Sequence, residues 1–476
     1  LTNFYIQDRK SDVMFEMNKA DLIVFDVFDV ILVRPYKDPN DRFVHMEQHY
    51  NLTGFARQRS QAEKSALAKG LMSIEEIYKL MSGFNSSIMQ LESEFDYSTI
   101  QLNDQMARYL MFSPKILMSH NSLYSSSFIS KILGKFEINA KVSELKDVQL
   151  VSSSTSCVFV SCNNETLKKM EANNVKAIYY RSRMNQLLNN DRFKLQSTDF
   201  SSSVLLGVQQ FLEQKNDFWT NLGYSVGGPI VYSFLKFVYD QMGERDAVFI
   251  SRDGYSLNNA FKVLFADKKG HYFYCPRALK NMSTQDLQNY FTLAIPDNDF
   301  LGVDIIAGHF TAQQIFQRGL NKGVQFLYLE TVLPNNVLNY SVYYNKKIRK
   351  WGFMEFLITS PELPIIGMNG KEPIYQNNAS KHEYYRVKVY QKIADGIVDY
   401  AWKIKKIFAG FMPTVAGESM VQFVGNYLAT NKADICQFKD VYYTYKKDHD
   451  IYSPMFAQTQ KLCGPQKQNV QHKRLQ

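Results

Sequence analysis

A short apolar strand that stops at a carboxylate is the feature that most constrains this chain. The segment Leu22-Ile-Val-Phe-Asp26 is followed closely by a second acidic residue, Asp29. A buried strand of a parallel sheet delivers its last side chain to the carboxyl edge of that sheet, where ligands of open α/β folds bind. Asp26 is therefore the first candidate for a functional residue. The alternative is that Asp26 only caps the next helix or turn.

The same pattern of a strand with a polar residue at its end recurs along the first part of the chain. Strands are predicted at 115–118, ending at Ser119, at 157–160 and at 175–180, with a helix at 165–173. Strand, helix and strand at this spacing predict parallel pairing with a right-handed crossover. The chain is therefore predicted to be an α/β protein.

Between the strands that end at Asp26 and Ser119, the sequence predicts helices. They are expected at about 41–69 and 74–81, and Ser73-Ile-Glu-Glu76 has the form of a capping box. We interpret the stretch from about 40 to 110 as a helical cap inserted between strands of the sheet.

A second unit of strand, loop, helix and strand is predicted after residue 211. The predicted strand 246–251 leads into Arg252-Asp253-Gly254-Tyr255, and Arg277 follows the next predicted strand, 271–275. Arginines near a carboxylate suit a phosphate or a sugar phosphate, so Arg252, Asp253, Tyr255 and Arg277 are candidate ligand-binding residues. The alternative is an Arg–Asp pair that only fixes the loop.

A chain of 476 residues exceeds one typical core, so two domains are expected. The predicted organisation is a first domain over 1–195, a linker over 196–210, a second Rossmann-like α/β domain with helical insertions over 211–463, and a flexible tail over 464–476. Near the end, an apolar stripe along 384–408 predicts a long helix that faces a core.

Composition narrows the function classes. The net charge of +9 is spread through short clusters, which does not match the concentrated basic face of a nucleic-acid binder. No run reaches the roughly 18 apolar residues that a membrane-spanning helix needs, so membrane insertion is not expected. The five cysteines form no CxxC pair, which predicts free thiols in the cytoplasm.

Several motifs in consistent order resemble one family of bacterial proteins of the haloacid dehalogenase (HAD) type, associated with surface-polysaccharide synthesis. Those in the first half are Asp26-Val-Phe-Asp29-Val-Ile-Leu-Val-Arg34-Pro35, Arg59-Ser-Gln-Ala-Glu63, Met72-Ser-Ile-Glu-Glu-Ile-Tyr78 and the strand that ends at Ser119. Those in the second half are Gly228-Pro229, Phe249-Ile-Ser-Arg252-Asp253-Gly254-Tyr255, Arg277-Ala-Leu279, Ser360-Pro361-Glu362, Ile366-Gly367 and Gly396-Ile-Val-Asp399-Tyr400.

The resemblance implies a HAD-like Rossmannoid sheet with a helical cap, and a cytoplasmic protein that works beside glycosyltransferases. It also implies a reaction. Asp26 would attack phosphorus, Ser119 would hold a phosphate oxygen, a lysine from 141–146 would offset charge, and Asp26 and Glu165 would bind magnesium.

Departures from the family pattern bear on that reaction. Val30 stands where the family has threonine, and Phe28 stands where HAD phosphatases have their general acid. The segment that should supply metal-binding carboxylates reads Ser161-Cys162-Asn163-Asn164-Glu165-Thr166, with Glu165 its one acid. Magnesium prefers carboxylate and water oxygens, so these replacements weaken its site.

Three hypotheses follow for the function. The first is a HAD-like protein of capsule or lipopolysaccharide synthesis with degenerate catalytic motifs, which binds a phosphorylated sugar or a partner glycosyltransferase. The second is an active magnesium-dependent HAD phosphohydrolase (phosphatase) with Asp26 as nucleophile. The third is a structural or assembly protein that retains the fold.

Overall fold

The computed structural model of the protein describes residues 17, 19–71, 73–110, 116–120, 122–145, 156–190, 198–332, 338–346, 351–430, 432–446 and 451–456. The chain divides into two compact units. The first unit comprises Thr2–Leu212 and Ile404–Val415, and the second comprises Glu213–Lys403 and Ala416–Gln476. Within the described ranges, no helix is both long enough and apolar enough to cross a membrane.

The first unit is built on a parallel five-stranded sheet in the order β5-β4-β1-β6-β7. The strands of this unit are β1 (Leu22–Asp26), β2 (Leu32–Val33), β3 (Gln101–Leu102), β4 (Ile116–His120), β5 (Lys141–Glu144), β6 (Cys157–Ser161) and β7 (Lys176–Tyr179), of which β2 and β3 form a separate two-stranded pair. The prediction of a parallel α/β sheet is confirmed. All of β6 and the middle three residues of β1 are buried, with Val24, Phe25 and Phe159 at 0% exposure, because both faces of the sheet are covered.

The helices of the first unit are α1 (Asp41–Tyr50), α2 (Phe55–Ala68), α3 (Ile74–Lys79), α4 (Ser86–Thr99), α5 (Asp104–Leu110), α6 (Ser126–Gly134), α7 (Asn164–Ala172), α8 (Arg183–Leu188) and α9 (Phe200–Gln209). Helices α1 to α4 lie between β2 and β3 in the chain. These two short strands pair antiparallel through Leu32 and Leu102, so the ends of the helical segment lie side by side.

The mostly helical stretch expected over 41–69 is confirmed. It consists of two helices, because Asn51 and Gly54 adopt left-handed backbone angles with φ of 53° and 80°. Such angles end a regular helix. The capping box is confirmed, since the Ser73 hydroxyl accepts from Glu76 N at 3.3 Å and Glu76 Oε2 accepts from Ser73 N at 3.1 Å.

Where the sequence predicts a linker over 196–210, the structure has helix α9. Nine of its ten residues are buried. The serines at its start resemble a linker in composition, but Val204, Leu205 and Leu206 supply an apolar surface that packs. Gly207 also lets the helix lie against the backbone of Pro35, whose carbonyl oxygen would be 2.3 Å from an added Cβ. This stretch is therefore part of the first unit's packing.

The second unit contains another parallel five-stranded sheet, in the order β12-β11-β10-β8-β9, and two antiparallel hairpins. Its strands are β8 (Asp246–Ile250), β9 (Gly270–Phe273), β10 (Phe300–Ala307), β11 (Phe326–Thr331), β12 (Tyr340–Tyr344), β13 (Ile365–Asn369), β14 (Glu372–Tyr375), β15 (Tyr442–Lys446) and β16 (Ile451–Pro454). The predicted second α/β sheet is confirmed. Strands counted from β8 run in the doubly wound order 2-1-3-4-5.

The helices of the second unit are α10 (Phe218–Leu222), α11 (Gly228–Met242), α12 (Gly254–Leu264), α13 (Thr284–Ala294), α14 (Thr311–Leu320), α15 (Trp351–Leu357), α16 (Lys381–Phe408), α17 (Gly417–Thr430) and α18 (Lys432–Ile435). A π-helical turn (Gly223–Gly227) joins α10 to α11, and 3₁₀ turns lie at Arg277–Asn281 and Cys436–Phe438. The last five residues of α16, Ile404–Phe408, belong to the first unit.

Helix α16 confirms the predicted apolar stripe. Its stripe residues are at most 1% exposed, and they are Tyr390, Ile393, Ile397, Tyr400, Ile404 and Ile407. Helix α14 begins at Thr311 without a side-chain cap. The residue before it, Phe310, holds the cap position with φ of 53° and makes no side-chain cap bond.

Three glycines let α16 approach the π-helical turn at backbone distance. A Cβ on Gly396 would lie 2.1 Å from the carbonyl oxygen of Thr220, and one on Gly223 would lie 2.0 Å from that of Ile393. A Cβ on Gly228 would meet the Tyr400 side chain at 2.4 Å. Because the first two contacts are to backbone, a larger residue can be accommodated only by moving the helices apart.

Substituting Gly396→Ala is therefore expected to destabilise the second unit by about 1–3 kcal/mol through overpacking. Gly425→Ala is the matched control, since Gly425 lies in α17 with nothing within 4 Å of its added Cβ. The control substitution is expected to stabilise the second unit by about 0.5–1 kcal/mol. Urea unfolding followed by tryptophan fluorescence reports on this unit, because Trp219, Trp351 and Trp402 all belong to it. Equal effects of the two substitutions would contradict the close-approach argument.

The cysteines depart from the expectation of free thiols at one position. Cys157, Cys162 and Cys275 are free, whereas Cys436 is disulfide-bonded. The predicted flexible tail, 464–476, lies outside the described residues.

Candidate functional site

The candidate site of the first unit lies where the strand order of its sheet reverses. Strand β1 has β4 on one side and β6 on the other, and the chain builds outward from β1 in both directions. The crevice at the carboxyl ends of two such strands is where open α/β sheets bind ligands. Asp26 ends β1, and Ser161 ends β6.

These two side chains contact each other directly. The Ser161 hydroxyl donates a hydrogen bond to Asp26 Oδ2 at 2.8 Å, and the Ser161 oxygen accepts from the backbone N–H of Asn163 at 3.0 Å. Ser161 is fully buried, so its hydroxyl is held in this arrangement. One oxygen of the candidate nucleophile is therefore engaged by a neutral donor from the neighbouring strand.

The surroundings of Asp26 favour its neutral form. Burial raises the pKa of the carboxyl group from 3.8 to about 7, the bond from Ser161 opposes the rise, and the charge of Asp29 adds to it. A raised pKa of this size arises when the ionised group lacks a compensating cation. At neutral pH about half of the Asp26 side chains are protonated, which is unfavourable for a carboxylate nucleophile.

Asp29 lies on the turn that follows β1 and lines a cavity. Its φ of 63° is left-handed, a conformation that aspartate tolerates better than most residues. Its backbone N–H donates to the carbonyl of Leu32 at 2.8 Å, which closes the turn. The turn thereby holds a second carboxylate near Asp26.

The cavity has a volume of about 450 Å³ and lies entirely within the first unit. Its charged lining consists of three basic side chains, Arg34, Lys37 and Arg183, and two acidic ones, Asp29 and Asp104. Five amide side chains also line it, namely Asn103, Asn163, Asn164, Asn185 and Gln210. Cations and amides of this kind bind phosphate oxygens and sugar hydroxyls.

Arg34 connects the cavity to a buried network in the helical segment. Its guanidinium donates to Asp96 Oδ2 at 2.9 Å and lies over the Phe28 ring, 4.6 Å from the centroid. Burial alone would raise the pKa of Asp96, but the charges of Arg34 and Arg42 outweigh it and hold that pKa below its ordinary value. Tyr124 donates to the same oxygen of Asp96 at 2.8 Å.

Deeper in the same segment lies a fully buried ion pair between Arg59 and Glu92, exposed by 1% and 0%. Two guanidinium nitrogens of Arg59 donate to the two oxygens of Glu92 at 2.8 and 2.9 Å. The Tyr78 hydroxyl donates to Glu92 at 2.8 Å, and Arg59 also bonds Glu63 at 2.7 Å. Buried charges require such complete pairing, so this cluster fixes the positions of helices α2 to α4.

The other predicted residues of the first unit are placed as follows. Ser119 lies beside Asp26, because the two are register partners in β4 and β1. Glu165 is exposed in the first turn of α7. Lys141 is exposed on the edge strand β5, and Lys146 lies outside the described residues. The structure thus brings Ser119 to Asp26 and gives no contact between Glu165 and Asp26.

The donors around Asp26 do not suit magnesium. Of the carboxylates in the described ranges, Asp29 is the one that acts on Asp26 electrostatically, and the next residues of the site are Ser161, Cys162 and Asn163. Among the described residues, no group of three or more His, Cys, Asp or Glu side chains is arranged to hold a metal ion. A hard divalent cation in an octahedral shell prefers carboxylates over thiols.

The shortage of carboxylates around Asp26 can be tested by a substitution at position 162. Cys162 lines the cavity, and both Asp29 and Asp26 help burial to raise the pKa of its thiol to about 12, so the thiol stays protonated. Cys162→Asp is expected to add a third carboxylate and to strengthen magnesium binding at least tenfold. Isothermal titration with magnesium measures this, and Cys157→Asp, which lies at the opposite end of β6, is the control. Equal affinity in the wild type and Cys162→Asp would contradict the interpretation.

Sequence reasoning missed Ser161, Arg34 and Arg183 as site residues. Ser161 carried a usable signal, because it ends a predicted strand that neighbours β1. Arg34 lies in the first quoted motif and could have been selected from it. Arg183 carried no such signal in the sequence, since it begins a short helix whose position depends on the packing of α9.

The residues predicted to bind a ligand in the second unit follow its strands as expected. Arg252 and Asp253 come directly after β8, and Tyr255 lies in the first turn of α12. Arg252 donates to Glu383 Oε2 at 3.2 Å. Arg277 begins an exposed 3₁₀ turn after β9.

Comparison with known proteins adds no identification. No protein-family model matches the chain, and none of the curated proteins compared with it matches significantly. The fold and the two sites therefore carry the functional argument.

Proposed function

We propose that the chain is a HAD-like protein of surface-glycan synthesis, in which the cavity of the first unit binds a phosphorylated sugar without efficient turnover. One observation carries the proposal: Asp26 is hydrogen-bonded by Ser161 and has a pKa near 7, and its neighbour Asp29 lines a cavity rich in amides and cations. The helical segment between β2 and β3 supports the proposal that this unit carries a cap. The motif resemblance supports the link to glycans.

Binding is supported by the composition of the cavity. Arg183 and Lys37 supply positive charge for a phosphate, and the amides supply donors and acceptors for hydroxyl groups. The volume of about 450 Å³ falls within the range of small-molecule sites. A partner glycosyltransferase stays a prediction from the resemblance.

Hydrolysis is less well supported than binding. A carboxylate that attacks phosphorus must be ionised, and it acts beside cations that offset the charge of the phosphoryl group. Asp26 is half protonated at neutral pH, and its hydrogen-bond partner is neutral. An active magnesium-dependent phosphatase therefore stays the second hypothesis.

The test measures binding and turnover in the same preparation. A panel of hexose phosphates is titrated into the protein, and phosphate release is followed with and without magnesium. We expect saturable binding, at least tenfold weaker in Arg183→Gln, and no release of phosphate. Arg181→Gln is the matched control, because Arg181 is exposed and does not line the cavity.

Each contrary result favours a different hypothesis. Magnesium-dependent release of phosphate that Asp26→Asn abolishes would establish the phosphohydrolase. Absence of binding to every sugar phosphate would favour the structural or assembly role.

We also propose that the protein works in the cytoplasm, as the resemblance implies. The disulfide of Cys436 opposes this location, because disulfides persist mainly in oxidising compartments. The redox state of Cys436 can be measured by quenching cells with acid and treating them with a reagent that alkylates free thiols. Alkylation of Cys436 supports the cytoplasm, and an oxidised Cys436 contradicts it.

A further inference from the structure

The second unit has its own point of strand-order reversal, distinct from the cavity of the first. Strand β8 lies between β9 and β10, and the chain runs outward from β8 in both directions. In sheets of the order 2-1-3-4-5, nucleotides bind at the carboxyl edge between the first and third strands. Those strands are β8 and β10, and residues 251–253 follow β8 directly.

Charged groups at this edge include two arginines and three carboxylates, the latter being Asp253, Glu362 and Glu383. Arg252 and Arg386 share a single carboxylate, Glu383, at 3.2 and 2.9 Å. Their charges lower the pKa of Glu383 and outweigh its burial, so this group is ionised. Glu362 accepts hydrogen bonds from the hydroxyls of three tyrosines, Tyr272, Tyr274 and Tyr375.

The two arginines have different roles. Arg386 is buried, and its other two nitrogens donate to the backbone carbonyls of Ser360 and Glu362, so it serves the structure. The Arg252 side chain is 22% exposed and bonds Glu383 through one nitrogen. An arginine with an accessible fork binds a phosphate in a bidentate manner.

An aromatic wall adjoins Arg252. Tyr255 lies one turn into α12, and its backbone N–H donates to the carbonyl of Arg252 at 3.1 Å. Its ring meets that of Tyr272 edge to face at 5.9 Å, and Tyr272 meets Tyr274 at 5.1 Å. All three are partly exposed. Tyrosine rings offer a surface on which a base stacks.

From this geometry we propose that the second unit binds a nucleoside diphosphate at the carboxyl edge of β8, with a phosphate on Arg252 and the base against the tyrosines. This proposal is independent of sugar-phosphate binding in the first unit. It assigns the ligand role to Arg252 and Tyr255, and it leaves Arg277 outside the site.

The experiment titrates uridine diphosphate, uridine and inorganic phosphate into the full chain carrying Arg183→Gln, which weakens the cavity of the first unit. We expect saturable binding of uridine diphosphate, at least tenfold weaker in Arg252→Gln and also weakened in Tyr255→Ala. Arg277→Gln is the matched control, with unchanged affinity. Uridine is expected to bind more weakly than the diphosphate and to be insensitive to Arg252→Gln.

Folding of the variants is checked by tryptophan fluorescence, and Arg386 still pairs with Glu383 when Arg252 is replaced. If Arg252→Gln does not fold, Arg252→Lys serves instead, since it keeps the charge and loses the bidentate fork. No saturable binding of uridine diphosphate up to about 1 mM, or equal affinity in the Arg252 variant and its parent, would overturn the proposal.

Discussion

Replacing Glu92 by glutamine is expected to lower the free energy of unfolding of the first unit by about 3 kcal/mol. Glu92 is fully buried and receives two nitrogens of Arg59 and the hydroxyl of Tyr78. Glutamine replaces one acceptor oxygen of Glu92 by an amide nitrogen, which is a donor and faces donors. Within the described part of the chain, Glu63 is then the one charged partner left to Arg59. Removing one member of a buried pair is costly because the other charge stays desolvated.

Glu94→Gln is the matched control for this prediction. Glu94 lies in the same helix, α4, and its hydrogen bond to Gln90 is exposed. The control is expected to change stability by less than about 0.5 kcal/mol. Hydrogen exchange measured on peptides of the first unit separates this effect from the second unit, which contains all three tryptophans. A loss below about 1 kcal/mol in Glu92→Gln would show that the pair contributes little.

Asp26→Asn is expected to stabilise the first unit at pH 8 and to leave it nearly unchanged at pH 4. Folding raises the pKa of Asp26 from 3.8 to about 7, mainly through burial. The contribution of this group to stability is fully present below the unfolded pKa and is lost as the pH rises through the folded pKa. The neutral amide avoids that loss, which amounts to at most about 4 kcal/mol.

The measurement is urea unfolding of the first unit, followed by hydrogen exchange, at several pH values between about 4 and 8. The difference between variant and wild type is expected to grow over this range and then to level off. Asp304 also has a pKa raised to about 7 by burial. Because Asp304 is present in both proteins, its contribution cancels in the difference between them. Asp21→Asn, at an exposed position before β1, is the control. A difference independent of pH would place the Asp26 pKa near its ordinary value.

Features set by local pattern were predictable from the sequence. The strand 22–26 and its terminal Asp26 were identified because apolar residues end at a single acid. The stripe of helix α16 was identified because its apolar residues recur with helical spacing, and all of them are buried. Helix α9 was missed because its serines conceal a short apolar surface that becomes apparent only when it packs.

The chemistry of the site depends on contacts that no local pattern shows. Ser161 reaches Asp26 across 135 residues of sequence, and that contact follows from the order of strands in the sheet. The pairing of Arg252 with Glu383 spans 131 residues in the same way. The motifs therefore identified which strands end at a site, and the three-dimensional pairing decides what each side chain can do there.

The contact between helix α16 and the π-helical turn also bears on how this protein can be traced through evolution. Surface residues can be exchanged freely, but Gly223 and Gly396 each face a backbone carbonyl at a distance that no side chain tolerates. Descendants that keep this packing must keep both glycines, 173 residues apart, whatever else they lose. The pair is therefore a signature by which remote relatives can be sought when their overall sequence identity has faded.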